Sequence, residues 1–443
     1  MQEYEDIWEL YGLNSDPFFT EPLSLFGGVD IRLGFVGRGE EVKRLQTLIG
    51  SRGGSRLLVT GDVGVGKTTF VNYVRANAPT KQFFTTLKEI QTQPEWTGTD
   101  FILNTLAAIH NTIKLRSDLD AGQISTDVWK KLELLVDIVE RKDRNYSLNV
   151  MAVGVGYGST TAVNIPTPTI QSLHAFYEQL VAEIQKMGYR EIVLSYNNLE
   201  IIEPKELTRL FNSIRDFIQT KNTKFIFIGG TTVSETIGNM PRVQSIMAES
   251  PIILQNLSLA EIKELLEKRI RQLSIGGLQH INPYTHDALA LLYSLHAGNL
   301  RYILNALSTA LKGLVKDTPL VVSGDDLKII LPEIVKNRWL IKLTPLEKDV
   351  LTHILNNGEV TNKQIAGDLK KLKQNISPVT NKLRALCAIK AKSEGNEKFF
   401  TVEPSIKWLL LEARGSERPS EVRVSNEIQR VLGNYSGSSH QQP

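Results

Sequence analysis

The chain is 443 residues long, 41% hydrophobic and 22% charged, which bounds it to a globular protein of roughly two to four domains with a sizeable core. A formal charge of +3 is too small to announce a nucleic-acid partner, so any basic patch has to be local. A single cysteine, Cys387, excludes an internal disulfide framework, and no Cys/His spacing reads as a metal site; with the acidic start MQEYEDIWEL and no long apolar run, this predicts a cytoplasmic protein, neither exported nor membrane-embedded.

Residues 1–33 are broken by Pro17, Pro22, Gly27 and Gly28 and read as an ordered arm, its aromatic residues packed, laid across the domain that follows. From 34 to 257 strand and helix alternate. GEEVKRLQTLI is an amphipathic helix, SRLLVTG a buried strand and KTTFVNYVRANA a helix; EIVLSY at 191–196, KFIFIGG at 224–230 and PIILQ at 251–255 are further strands. This predicts an α/β domain, a parallel sheet with helices on both faces. Within it, 148–168 alternates residue by residue and reads as a hairpin insertion. Its Gly154, Gly156 and Gly158 do not form a dinucleotide fingerprint, because Pro166 and Pro168 intervene where a helix has to follow. Residues 258–340 read as a helical lid, with helices in LAEIKELLEKRIRQL, YTHDALALLYSLHAG and NLRYILNALSTALKGL. Residues 341–412 read as three helices followed by two short strands turning at Gly395 and Asn396, which is the pattern of a winged helix. The tail 413–443, rich in Ser, Gly and Gln, reads as disordered apart from a helix near SNEIQRVL.

Residues 61–68, GDVGVGKT, stand between an apolar strand and a helix, the setting in which a phosphate-binding loop works. Backbone N–H groups at the positive end of a helix meet the phosphate charges, and Gly61, Gly64 and Gly66 let the backbone approach them. Lys67 is placed to reach the β and γ phosphates of ATP and the Thr68 hydroxyl to bind Mg²⁺; Asp62, Val63, Val65 and Thr69 complete the loop. Hydrolysis needs a second strand ending in an Asp for the Mg²⁺ shell, followed by a Glu that activates water. EIVLSYNNLE is the candidate, and its register puts Asn197 at the Asp position and Asn198 at the Glu position. An amide cannot neutralise Mg²⁺, so binding is expected to survive better than hydrolysis. Glu200 can replace the missing acid only if the backbone bends beyond the strand.

With these motifs in place, residues 35–410 resemble the AAA+ ATPases of the archaeal origin-recognition type and related prokaryotic ATPases, including transposon target-selection ATPases and STAND-type switches. FVGRGEEVKRL is similar to the family's VGRexEl box, GDVGVGKT to its Walker A loop, and GNLRYIL at 298–304 to its sensor-2 motif. YGLNSDPF resembles an entry motif of transposition-type ATPases. The resemblance implies that Arg301 touches the γ phosphate from the lid, that sensor 1 is Thr231 or Thr232, that Arg242 is a trans-acting arginine finger, and that the AAA+ domain self-associates. Asn197 and Asn198 depart from the family's Asp-Glu pattern, which puts its ATPase activity in doubt.

The winged helix is the candidate duplex-DNA contact. Between 370 and 398 eight basic residues face two acidic ones: Lys370, Lys371, Lys373, Lys382, Arg384, Lys390, Lys392 and Lys398 against Glu394 and Glu397. Asn375, Ser377, Thr380 and Asn381 are small polar residues suited to base edges or phosphates. Three readings stay open: a nucleotide-gated DNA-binding switch with weak or absent hydrolysis, an active DNA-linked ATPase such as a loader or transposition regulator, and a STAND-like signalling or defence switch whose winged helix docks a partner protein.

Overall fold

The computed structural model describes residues 6–25, 27–79, 82–151, 168–276, 280–314, 318–394 and 397–414, with backbone alone for 141–151, 393, 394, 413 and 414. The hairpin expected over 148–168 lies outside the described residues from 152 to 167; before that, the helix Thr126–Met151 runs through its first four positions. The expected turn at Gly395 and Asn396 and the tail beyond Arg414, with its expected helix, also lie outside them. Two compact units form: Pro22–Gln255, and Met1–Glu21 with Asn256–Pro443.

The first unit is a parallel sheet of strands β1 (Ser55–Gly61), β2 (Phe83–Thr85), β3 (Ile90–Gln91), β4 (Glu191–Asn197), β5 (Thr223–Ile228) and β6 (Ile252–Leu254). Its order is β2-β4-β5-β1-β6, with β3 continuing alongside β4. Period-two alternation explains why the strands read as unbroken apolar runs. Leu57, Val59, Val193, Ile226 and Ile228 face one core with the helices Gly39–Gly50 and Lys67–Asn77. Leu58, Leu194, Tyr196, Phe225 and Phe227 face the other, with Gly98–Leu115 and Ile170–Lys186. At the far end of the sheet, Lys224 and Glu191 are buried 3.5 Å apart, and Lys224 also donates to the Ser51 and Gly53 carbonyls.

In the second unit the helices Leu259–Leu273, His286–His296, Leu300–Leu314 and Gly324–Arg338 pack together. The arm belongs here, a correction to the expectation that it crosses the next domain. Asn14 N–H donates to the Leu273 carbonyl at 2.8 Å, Tyr11 Oη donates to the Leu320 carbonyl at 2.7 Å, and Asp16 accepts from Ser308 and Lys312. Only the segment from Pro22 onward belongs with the sheet. Then follow the helices Pro345–Asn357, Asn362–Asp368 and Lys373–Ala385, with strands β7 (Val360–Thr361), β8 (Ile389–Glu394) and β9 (Glu397–Val402) in an antiparallel sheet ordered β7-β9-β8. A 3₁₀ segment, Pro404–Arg414, closes the described chain.

Candidate nucleotide-binding site

Strand β1 delivers the chain to Gly61, whose φ of +146° and whose distance from β6 both demand glycine: a Cβ there would stand 2.5 Å from the Leu254 carbonyl oxygen. Gly66, at φ +89°, caps the helix Lys67–Asn77, so the first N–H groups of that helix, which have no partner within it, border the loop. Lys67 is 7% exposed, and its Nζ donates to the Gly61 and Asp62 carbonyls, each at 2.9 Å. Asp62 and Val63 are exposed while Val65 is buried. Arg38, from the VGR segment, donates to the Val65 carbonyl at 2.5 Å and to the Gln255 carbonyl at 2.9 Å, fastening the loop to the end of β6. The Thr69 hydroxyl accepts from Leu23 N–H at 3.2 Å.

The end of β4 meets this loop at one bond. Thr68 Oγ1 donates to Asn197 Oδ1 at 3.2 Å, which brings the end of β4 beside the loop's helix. Asn197 Nδ2 then donates to Gln91 Oε1 at 3.5 Å, and Asn198 Nδ2 donates to the same oxygen at 2.7 Å. Gln91 Nε2 donates to Glu89 Oε1 at 3.0 Å, and Asn72 Nδ2 donates to Glu89 Oε2 at 3.3 Å. Asn72 in turn accepts from Arg75, a fully enclosed guanidinium whose pKa burial lowers to about 10, with Glu89 acting in the opposite sense. Thr68, Asn72 and Arg75 are spaced four and three apart, one face of the helix. Sequence reasoning missed Gln91, Glu89 and Asn72, since no motif marks them and only the pairing of β3 with β4 brings Gln91 opposite Asn197.

The backbone does bend after β4. Asn198 sits at φ +64°, and the 3₁₀ turn Leu199–Ile201 carries Glu200 against the end of β5, its Cβ 3.5 Å from where a Cβ on Gly230 would lie. Glu200 Oε2 is buried and forms no hydrogen bond among the described residues. Thr231 and Thr232 open the helix Thr231–Gly238, both exposed. Arg242 is exposed on the short helix Pro241–Gln244, with its carbonyl accepting from Arg215. Arg301 lies in the other unit, exposed at the first turn of Leu300–Leu314, and lines a groove of about 260 Å³ with His296, Tyr302, Asn305 and Trp408.

Of the residues expected to touch DNA, Asn381, Arg384 and Lys390 line one open groove of about 650 Å³ between the helix Lys373–Ala385 and β8. Lys371, Lys373, Lys392 and Lys398 are exposed. One expectation is corrected. Thr380 is fully buried and donates to the Ser377 carbonyl, so it faces the core and cannot meet a ligand. Lys382, its side chain 48% exposed, is ion-paired with Glu347 at 2.8 Å, and that bond holds the Glu347 carboxyl below the usual carboxylate range.

A parallel sheet with a glycine loop feeding a helix at the carboxyl end of its strand defines a P-loop α/β nucleotide-binding fold. The AAA ATPase domain family matches residues 34–340, and the chain belongs to that family. It is similar to solved structures of Cdc6p from Pyrobaculum aerophilum (14% identity, 87% of this chain and 97% of that one, TM-score 0.39). It is also similar to the ORC1 protein of Aeropyrum pernix in complex with DNA (15%, 86% and 94%, 0.39) and to the ORC2 protein of Aeropyrum pernix in ADPNP–ADP complexes (11%, 96% and 99%, 0.44). No curated protein matches the chain. No helix among the described residues is long and apolar enough to cross a membrane.

Family membership implies a nucleotide and Mg²⁺. The loop's glycines, helix N-terminus and Lys67 fit a polyphosphate. The donors beside Thr68 fit Mg²⁺ poorly. They are a hydroxyl and two neutral amides, which bring no negative charge to a cation.

Proposed function

We propose that the chain is an ATP-binding AAA+ switch of the cytoplasm that hydrolyses its nucleotide slowly or not at all, self-associates through its AAA+ domain and binds duplex DNA through a winged helix at 341–412. The observation that carries the reading is the bond from Thr68 to Asn197: an amide stands where hydrolysis requires a carboxylate. Lys67 and the loop N–H groups bind and orient the phosphates, while the strand end supplies no general base. The order helix, short strand, two helices and hairpin supports the winged-helix reading, and the shared groove of Asn381, Arg384 and Lys390 supports the nucleic-acid reading.

The test is binding of the full chain to labelled duplex DNA over a salt series with ATP, ADP or no nucleotide, beside steady-state phosphate release with a Lys67→Ala control. Tighter DNA binding with ATP, a steep salt slope and phosphate release no faster than the control are expected. Lys373→Ala should lower the slope by about one, as for any single phosphate contact. Phosphate release well above the control would move the assignment to an active ATPase, for which Glu200, whose Oε2 has no hydrogen bond among the described residues, is the acid to replace. Equal, weak DNA binding in all three states would favour a winged helix that docks protein.

A further inference from the structure

Three polar atoms of Asn197 have partners. Its carbonyl accepts from Thr92 N–H at 3.0 Å and Thr92 Oγ1 at 2.7 Å, its Oδ1 from Thr68, and its Nδ2 donates to Gln91. The donors run in one direction, from Thr68 through Asn197 and Gln91 to the Glu89 carboxylate. An aspartate at 197 would set a carboxylate oxygen about where Nδ2 is, facing Gln91 Oε1, acceptor against acceptor. Turning the Gln91 amide over would relieve that contact but face Oε1 to the Glu89 carboxylate, and would also break the bond from Asn198. The surroundings are therefore matched to an amide at 197, and they do not suit a residue that balances a cation.

We propose that this site takes a nucleoside di- or triphosphate without a divalent cation held by the protein, the phosphates being met by Lys67 and the loop N–H groups alone. The proposal rests on the reading that the loop binds a nucleotide, and goes beyond it in naming the form of the ligand. Thr68 then acts as a positioning residue: its hydroxyl hydrogen points to Asn197 and ties the loop's helix to β4. The ammonium of Lys67, 7% exposed, is the one fixed cation among residues 61–68, which also carry the exposed Asp62. With no carboxylate at the end of β4, that strand end offers no negative charge to balance a cation shared with the phosphates.

The experiment is titration of the full chain with ADP and with ATP by calorimetry, in Mg²⁺ and again in excess EDTA, for the wild type and for Asn197→Asp. For the wild type the two dissociation constants should agree within about threefold, a difference below one decade of the affinity scale. For Asn197→Asp, Mg²⁺ should tighten binding about tenfold or more over EDTA, because a carboxylate now balances the metal. Wild-type binding that weakens tenfold or more in EDTA would overturn the proposal while leaving the nucleotide reading intact. Absence of binding in both buffers would overturn the nucleotide reading itself. The wild-type comparison stands alone should Asn197→Asp fail to fold.

Discussion

Gly61 shows how little tolerance the loop has. Its φ is in the region L side chains avoid, and a Cβ would press on the Leu254 carbonyl at 2.5 Å, backbone that can yield only by parting β1 from β6. Gly61→Ala is expected to destabilise the Pro22–Gln255 unit by about 2 kcal/mol or more and to weaken nucleotide affinity with it, since Lys67 is anchored on the Gly61 carbonyl. Thermal unfolding and a nucleotide titration of the same variant check both; an unchanged melting curve would show that the loop relaxes freely. The loop was legible in the sequence because each of its residue types answers one local need. The amides were legible only as departures from a pattern. Gln91 and Glu89 were not legible at all, because their place beside Asn197 depends on a strand pairing that no short segment encodes.

At the scale of elements, strands with both faces buried announced themselves as apolar runs, whereas β2 and β3, of three and two residues, are too short to show a period. The segment Pro404–Arg414 was missed as well; it is held by a long-range bond, Trp408 Nε1 donating to His296 Nε2 at 3.2 Å. That bond makes Nε2 the acceptor and so requires a neutral imidazole. Burial, then Lys407, lowers the His296 pKa to about 4 from an ordinary 6.5. Because the folded value lies below the unfolded one, the contribution is complete above about pH 6.5. It is lost as the pH falls toward about 4, up to about 3 kcal/mol in all. Unfolding midpoints of the Asn256–Pro443 unit should therefore fall between pH 7 and 5 in the wild type. His296→Phe should have a lower midpoint at pH 7 and a flatter pH profile. An equal slope in the two proteins would place the acid sensitivity elsewhere.

For the whole molecule, the arm decides how the chain is partitioned. Its apolar residues gave no direction in the sequence, because an arm rich in aromatics packs equally well on any open core. The structure puts Trp8, Tyr11, Leu13 and Phe18 at 3%, 0%, 0% and 1% exposure within the second unit. Phe18 meets the Tyr284 ring edge-on with centroids 5.9 Å apart, and Arg269 lies 4.1 Å over Phe19 while donating to its carbonyl at 2.8 Å. Burial pushes the Tyr11 hydroxyl up to about 12, against its bond to Leu320, as expected of a core residue. Removing one such buried aromatic ordinarily costs about 3–5 kcal/mol, and several together exceed the stability of a typical unit. A chain lacking residues 1–21 should therefore lose the unfolding transition of the helical unit. The sheet unit, whose Leu23 remains bonded to Thr69 and Asn72, should keep its own transition and its nucleotide affinity. Calorimetry with nucleotide titration distinguishes the outcomes: two intact transitions would mean that the arm only decorates the unit, and loss of nucleotide affinity would mean that folding of the sheet unit depends on the helical one.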